Sequence, residues 1–139
     1  MTEQGISDLV RTWIDRLGLD HWEIKVPFGQ ELEKYWSDND NPNAHASVER
    51  SKVYDSAKIY FNPRDYASWT EEDATIHVVH ELIHVLFRDV EWTVDQIVGQ
   101  VPRDAEDFMG ETFQHHLEGC IDRLARRFVN LARVEDERI

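Results

Sequence analysis

A long helical pattern near the C-terminus limits the folds open to this chain of 139 residues. Across residues 104–134, apolar side chains recur every three or four positions, the spacing of one face of an α-helix. The repeating residues are Phe113, Leu117, Ile121, Leu124, Phe128 and Leu131. The pattern predicts a single long helix that packs along one side, and Gly110 and Gly119 weaken it only slightly.

Shorter patterns precede this helix. Residues 2–19 carry apolar positions at helical spacing with Gly18 as a stop, and residues 70–88 form a second helical pattern that opens on the capping pair Thr70 and Asp73. Apolar and polar residues alternate over residues 22–26, 44–49 and 57–61, which predicts three strands. We interpret the polar segment 29–43 as a loop, and residues 90–101 as a short helix or an ordered loop.

This order of elements predicts an α+β fold in a single domain covering residues 1–139. We expect a small, mostly antiparallel three-stranded sheet, packed with the N-terminal helix, the helix over residues 70–88 and the long C-terminal helix. The last two strands are expected to pair with each other in antiparallel fashion.

Charge and cysteine content narrow the function classes. Twenty-eight acidic and fifteen basic side chains give a formal charge of -13, which repels phosphate backbones and anionic lipid headgroups. We therefore expect neither nucleic acid nor membrane as a partner. Cys120 is the only cysteine, so no intramolecular disulfide can form, and no signal peptide is evident; both points favour a cytoplasmic location.

The helix over residues 70–88 contains the pattern H-E-x-x-H at His80, Glu81 and His84. Residues four apart lie above one another on a helix, so both imidazoles can ligate one metal ion. Glu81 lies one step round the helix, where it can take a proton from a water that the metal activates. The pattern predicts a zinc site with Glu81 as the catalytic base.

A catalytic zinc needs a third protein ligand. Glu118 on the long C-terminal helix is the candidate, because Glu111, His115, Glu118 and Asp122 form one polar face beside the packing seam. His115 or His116 could ligate in its place. Asp122 could accept the second ring N–H of a ligating histidine, while His115, Tyr60 or His77 could donate to a developing oxyanion.

Together these residues resemble the gluzincin metallopeptidases, especially minimal, phage-encoded and ImmA/IrrE-like forms, over about residues 22–134. The resemblance implies that Glu118 is the third zinc ligand, followed four residues later by Asp122, and that Glu81 acts as both base and acid. It also implies an extended peptide substrate paired with an edge strand, for which we select residues 57–61. This chain lacks the helix-turn-helix domain of the ImmA/IrrE-like regulators, so repressor cleavage is not predicted.

The sequence thus predicts a zinc-dependent peptidase whose substrate is a protein or peptide. The alternative is an inactive or latent zinc-stabilised domain that binds another protein. A di-iron carboxylate bundle is disfavoured because the chain has no second E-x-x-H motif. A domain without any metal is the remaining reading, and it predicts that chelation leaves thermal stability unchanged.

Overall fold

The computed structural model describes residues 1–138, so the expected domain 1–139 is described except for Ile139. Helices and strands alternate in the N-terminal half, and helices alone make up the C-terminal half. In chain order the elements are α1 (Glu3–Arg16), β1 (Glu23–Lys25), α2 (Gln30–Asp38), β2 (Ala46–Arg50), β3 (Ser56–Phe61), α3 (Pro63–Tyr66), α4 (Glu71–Leu86), α5 (Arg88–Val98) and α6 (Arg103–Glu137). The predicted α+β class is confirmed.

The sheet is mixed, so the prediction of a mostly antiparallel sheet is wrong. Its strand order is β1-β3-β2, with β1 parallel and β2 antiparallel to β3. Strands β2 and β3 are joined by a short turn and pair as a hairpin, as expected. After β1 the chain passes through α2 to the far edge of the sheet and forms β2. Strand β3 then returns between the two and runs in the direction of β1.

The register of β2 and β3 decides which side chains face the helices. Val48 lies opposite Ile59 and Arg50 lies opposite Ala57, so these side chains share one face of the sheet. Ile59 and Ala57 are buried in the core on that face. Because side chains alternate along a strand, Tyr60 projects from the opposite face.

Helix α2 occupies the segment 29–43 that the sequence analysis assigned to a loop, and that assignment is wrong for Gln30–Asp38. Leu32 and Trp36 are four residues apart and both are buried, which is an amphipathic helix in short form. Tyr35 stacks on Tyr60 with ring centroids 3.8 Å apart. The many polar residues around these few apolar anchors concealed the helix.

Helix α4 is the central helix, and it begins as predicted. The Thr70 hydroxyl accepts from the Asp73 amide, and the Asp73 carboxylate accepts from the Thr70 amide, which completes a capping box. Val79, Leu82 and Ile83 are buried in the core. Leu86, the last residue of the helix, is 44% exposed.

Helices α5 and α6 complete the chain, and α5 resolves the uncertain segment 90–101 as a helix over Arg88–Val98. The buried residues of α6 are Leu117, Ile121 and Ala125, so its middle part packs on the core while residues 103–116 carry no buried side chain. Leu131, predicted to be part of the packed stripe, is 49% exposed. No helix within residues 1–138 is both long and apolar enough to cross a membrane.

Candidate metal centre

The two histidines of the H-E-x-x-H pattern lie one turn apart on α4, with ring centroids separated by 5.1 Å. His84 is buried and His80 is half-buried. The neighbouring Val79, Leu82 and Ile83 anchor α4 in the core, so the helix cannot rotate without exposing apolar surface. Core packing therefore fixes the side of α4 that presents the two imidazoles.

Glu118 reaches the same point from α6. Its Oε1 lies 2.9 Å from Nε2 of His84, and its Oε2 lies 3.1 Å from Nε2 of His80. Leu117 and Ile121 pack this part of α6 into the core, and α4 and α6 are in extensive contact. The carboxylate between those two anchors is thereby directed at both imidazoles.

His80, His84 and Glu118 could hold a metal ion, because each offers one ligand atom and these atoms all lie within 4.8 Å of one another. Zinc bonds of about 2.0–2.1 Å in a tetrahedron place ligand atoms roughly 3.4 Å apart. The Glu118 oxygens lie 2.9 Å and 3.1 Å from the Nε2 atoms of His84 and His80. Two imidazole nitrogens and one carboxylate oxygen suit zinc and related transition metals better than calcium or magnesium, which prefer oxygen ligands. Three protein ligands leave a fourth position for water or substrate.

Glu81 is buried beside this cluster and lines the same cleft. Burial raises the pKa of its carboxyl above the ordinary value, although the neighbouring imidazoles of His80 and His84 act in the opposite direction. Among residues 1–138, hydrogen bonds reach the carboxylates of Glu91 and Glu118 but none reaches that of Glu81. The Glu81 carboxylate is therefore available to a molecule in the cleft.

Glu91 is a residue of this site that the sequence analysis missed. Its Oε2 lies 3.3 Å from Nδ1 of His84, and its carboxylate also accepts from the Arg50 guanidinium. Arg50 in addition donates to the main-chain oxygen of His84 at 2.7 Å. The three residues come from β2, α4 and α5, so no local motif could have shown their contact.

Hydrogen bonds set the protonation of this group. Burial opposes a charged His84, but hydrogen bonds to Glu118 and Glu91 outweigh it and raise the pKa of His84 to about 9. The same contacts from His80 and His84 hold the pKa of Glu118 well below its ordinary value. Burial works against ionised Glu91, but His84 and Arg50 prevail and lower its pKa. In the metal-free protein, a proton of His84 therefore lies between His84 and Glu118, in the position that a metal ion would occupy.

The other candidates on α6 lie outside the cluster. His115 and His116 are exposed and pack against each other with ring centroids 5.6 Å apart, so the structure brings Glu118 to His80 and His84 instead of either histidine. The Asp122 carboxylate accepts from Arg126 Nε at 3.0 Å. The carboxylate found against a ring nitrogen of His84 is that of Glu91, so Asp122 does not make the contact proposed for it there.

The oxyanion candidates His77 and Tyr60 are both held by other contacts. His77 is half-buried one turn before His80 and stacks on Trp69 with ring centroids 4.3 Å apart. Burial lowers the pKa of His77, and the nearby His45 adds to this effect. Tyr60 lies on the other face of the sheet, where its hydroxyl donates to Glu49 at 3.2 Å. Strand alternation therefore directs Tyr60 away from the cluster.

The cleft, of about 260 Å³, is bordered by the cluster on one side and by β2 on the other. Strand β3 pairs with a neighbour on both sides, so residues 57–61 are not an edge strand, and the selection of that segment for substrate pairing is wrong. Within the described chain, the outer edge of β2 is unpaired and lies along the cleft.

A wider groove of about 610 Å³ lies elsewhere, between α1 and the C-terminal part of α6. Leu9 and Trp13 form part of its wall, and no histidine lines it. Size alone therefore does not identify the candidate site, because the three possible metal ligands line the smaller cleft.

No protein-family model, curated protein or solved structure matches the chain. The resemblance to gluzincin peptidases thus depends on the residues themselves, and the four that carry it are His80, Glu81, His84 and Glu118.

Proposed function

We propose that this protein is a zinc-dependent peptidase that hydrolyses peptide bonds with Glu81 as general base. The observation that carries the proposal is the convergence of His80, His84 and Glu118 within 4.8 Å, beside the buried carboxylate of Glu81. A structural salt-bridge cluster would account for the first three residues. It would not account for Glu81, a fourth acid in the same cleft that is only 9% exposed, because withdrawing a carboxylate from most of its solvent without a protein partner costs free energy.

His80, His84 and Glu118 would hold the ion. Bound zinc supplies Lewis-acid activation of water and of the substrate carbonyl. Glu81 takes the proton of the attacking water and returns it to the leaving amine. Burial raises the pKa of the Glu81 carboxyl in the metal-free protein, and burial of this kind strengthens a carboxylate as a base.

The proposed substrate is an extended polypeptide that pairs with the outer edge of β2. An unpaired edge offers alternating N–H and C=O groups to a peptide backbone, and such pairing is largely independent of side chains. Ala46 and Val48 line the cleft from this strand. A peptide held there would place a main-chain carbonyl near the metal ligands.

The experiment compares the wild type with Glu81→Gln and His80→Ala. Metal content is measured by mass spectrometry, and hydrolysis is followed with fluorescein-labelled casein as the probe. We expect one zinc per chain in the wild type and in Glu81→Gln, with hydrolysis reduced by about 100-fold or more in Glu81→Gln. The His80→Ala variant should lose both the bound zinc and the hydrolysis of casein. Glu72→Gln, an exposed change on the same helix, serves as the matched control.

Wild-type hydrolysis rates in Glu81→Gln would overturn the assignment of the base. Stoichiometric zinc in a wild type that cleaves none of the probe would favour the zinc-stabilised binding domain instead.

A further inference from the structure

We propose that Glu91, held in place by Arg50, is a positioning residue that orients His84 for metal binding. This inference rests on the metal centre of the proposed function. It adds a residue from α5 that acts on the ion through His84 rather than by direct contact.

The burial of Glu91 is the first step. Glu91 is the only buried residue of α5 and is 6% exposed, although it is charged. Helices normally dock through apolar side chains, and burying a carboxylate is costly unless it is paired and hydrogen-bonded. Glu91 meets that condition through Arg50 on one side and His84 on the other.

The chemistry of the contact is the second step. An ionised carboxylate only accepts hydrogen bonds, so Nδ1 of His84 must be the donor at 3.3 Å. When a metal ion replaces the proton on the other nitrogen, the proton that remains on the ring is therefore the one on Nδ1, and Nε2 offers its lone pair. Nε2 is the atom that faces Glu118 at 2.9 Å. Glu91 thereby selects the tautomer that can ligate at the shared point.

Arg50 is the third step, because it holds both Glu91 and the main chain of His84. It donates to the Glu91 carboxylate and to the main-chain oxygen of His84. Because Arg50 contacts both groups, it holds the Glu91 carboxylate at a fixed distance from the main chain of His84 and thus from its ring. Arg50 ends β2, so the strand bordering the cleft is tied to one metal ligand.

His80 and His84 differ in how many of their ring nitrogens have a hydrogen-bond partner. Within residues 1–138, the hydrogen bond found for the His80 ring is from Nε2 to Glu118, and no partner is found for its Nδ1. His84 is oriented before a metal arrives, whereas the His80 ring can adjust. Loss of Glu91 should therefore weaken metal binding by disordering His84.

The test compares Glu91→Gln with the wild type in metal-free protein. Zinc affinity is measured by competition with a chromophoric chelator, and unfolding by urea is recorded for the same samples. Glu31→Gln is the matched control, because Glu31 also pairs with a cation, Lys58 at 2.8 Å, and loses the same charge away from the cleft. We expect zinc affinity to fall about tenfold to a hundredfold in Glu91→Gln and to stay unchanged in Glu31→Gln. Wild-type affinity in Glu91→Gln would overturn the inference.

A second measurement needs no variant. In zinc-loaded wild-type protein, nitrogen NMR of the imidazoles should show His84 protonated on Nδ1 and ligated through Nε2. Ligation through Nδ1 would overturn the inference even if Glu91→Gln failed to fold. A wild type that binds no zinc would overturn the proposed function together with this inference, whereas zinc binding that does not depend on Glu91 would remove the inference alone.

Discussion

Nε2 of His84 on α4 lies 2.9 Å from Oε1 of Glu118 on α6, and this contact joins two helices that are distant in sequence. The ligand set is complete only when α4 and α6 are docked. In the unfolded chain these groups are far apart, so a metal that binds all three stabilises the native state. Metal binding by all three residues would therefore be coupled to tertiary structure.

Removal of metal is the first prediction. Zinc at one hundred times its dissociation constant adds about 2.7 kcal/mol to native stability, which corresponds to several degrees in Tm for a domain of this size. We expect EDTA to lower the Tm of zinc-loaded wild type by that amount, measured by calorimetry. His84→Ala should not respond to EDTA. An equal response in both proteins would contradict the assigned site.

The second prediction concerns the third ligand. Glu118→Ala should weaken zinc binding by more than about a hundredfold, because even changes behind the ligands cost roughly tenfold to a hundredfold. His115→Ala and His116→Ala remove exposed imidazoles from the same helix and should leave affinity unchanged. Chelator competition measures all three. A loss of affinity on changing either histidine, with Glu118→Ala unaffected, would reverse the ligand assignment.

The third prediction addresses the core beneath the site. Leu82 is fully buried on α4, so Leu82→Ala should lower the free energy of unfolding by about 2–5 kcal/mol in urea. Leu131→Ala makes the same chemical change at a position that is 49% exposed, and we expect it to cost much less. Equal losses of unfolding free energy would mean that Leu131 is buried in the folded protein.

The fourth prediction is a pH dependence at the start of α4. Hydrogen bonds from Thr70 lower the pKa of the Asp73 carboxyl below its ordinary value. A carboxyl group whose pKa is lower in the folded than in the unfolded protein stabilises the fold at pH values above its unfolded pKa. This contribution is lost as the pH falls through the folded pKa. The stability deficit of Thr70→Ala, about 1 kcal/mol at neutral pH, should therefore shrink below about pH 4. Urea unfolding between pH 6 and pH 3 measures it, and a deficit that grows on acidification would refute this account.

The sequence was most informative where a short pattern and its helix coincide. Thr70, His80 and His84 lie on one helix whose cap and spacing can be read directly, and the structure places them as predicted. The position of Glu118 depends on which face of α6 packs against α4, and the spacing of residues within either helix does not determine this. The mixed sheet could not be predicted, since strand direction depends on where α2 takes the chain.

Glu91 and the helix α2 show the limits of periodicity. Leu32 and Trp36 give only two buried positions in nine residues, too few to stand out in a polar segment. Glu91 is a charged residue in a segment with no clear pattern, and charged residues are normally assigned to the surface. Its burial depends on Arg50, which lies far away in the sequence. Contacts between distant elements are not visible in local spacing.

The unpaired outer edge of β2, which could bind a peptide, also exposes the protein to aggregation. Free N–H and C=O groups on a strand can pair with any extended chain, including another molecule of the same protein, which is a route to aggregation. The strand is only five residues long and carries the exposed, charged Glu49 near its end, and both features discourage pairing with another chain. Replacing Glu49 with an apolar β-branched residue should make concentrated samples precipitate more readily, even if the fold itself is unharmed.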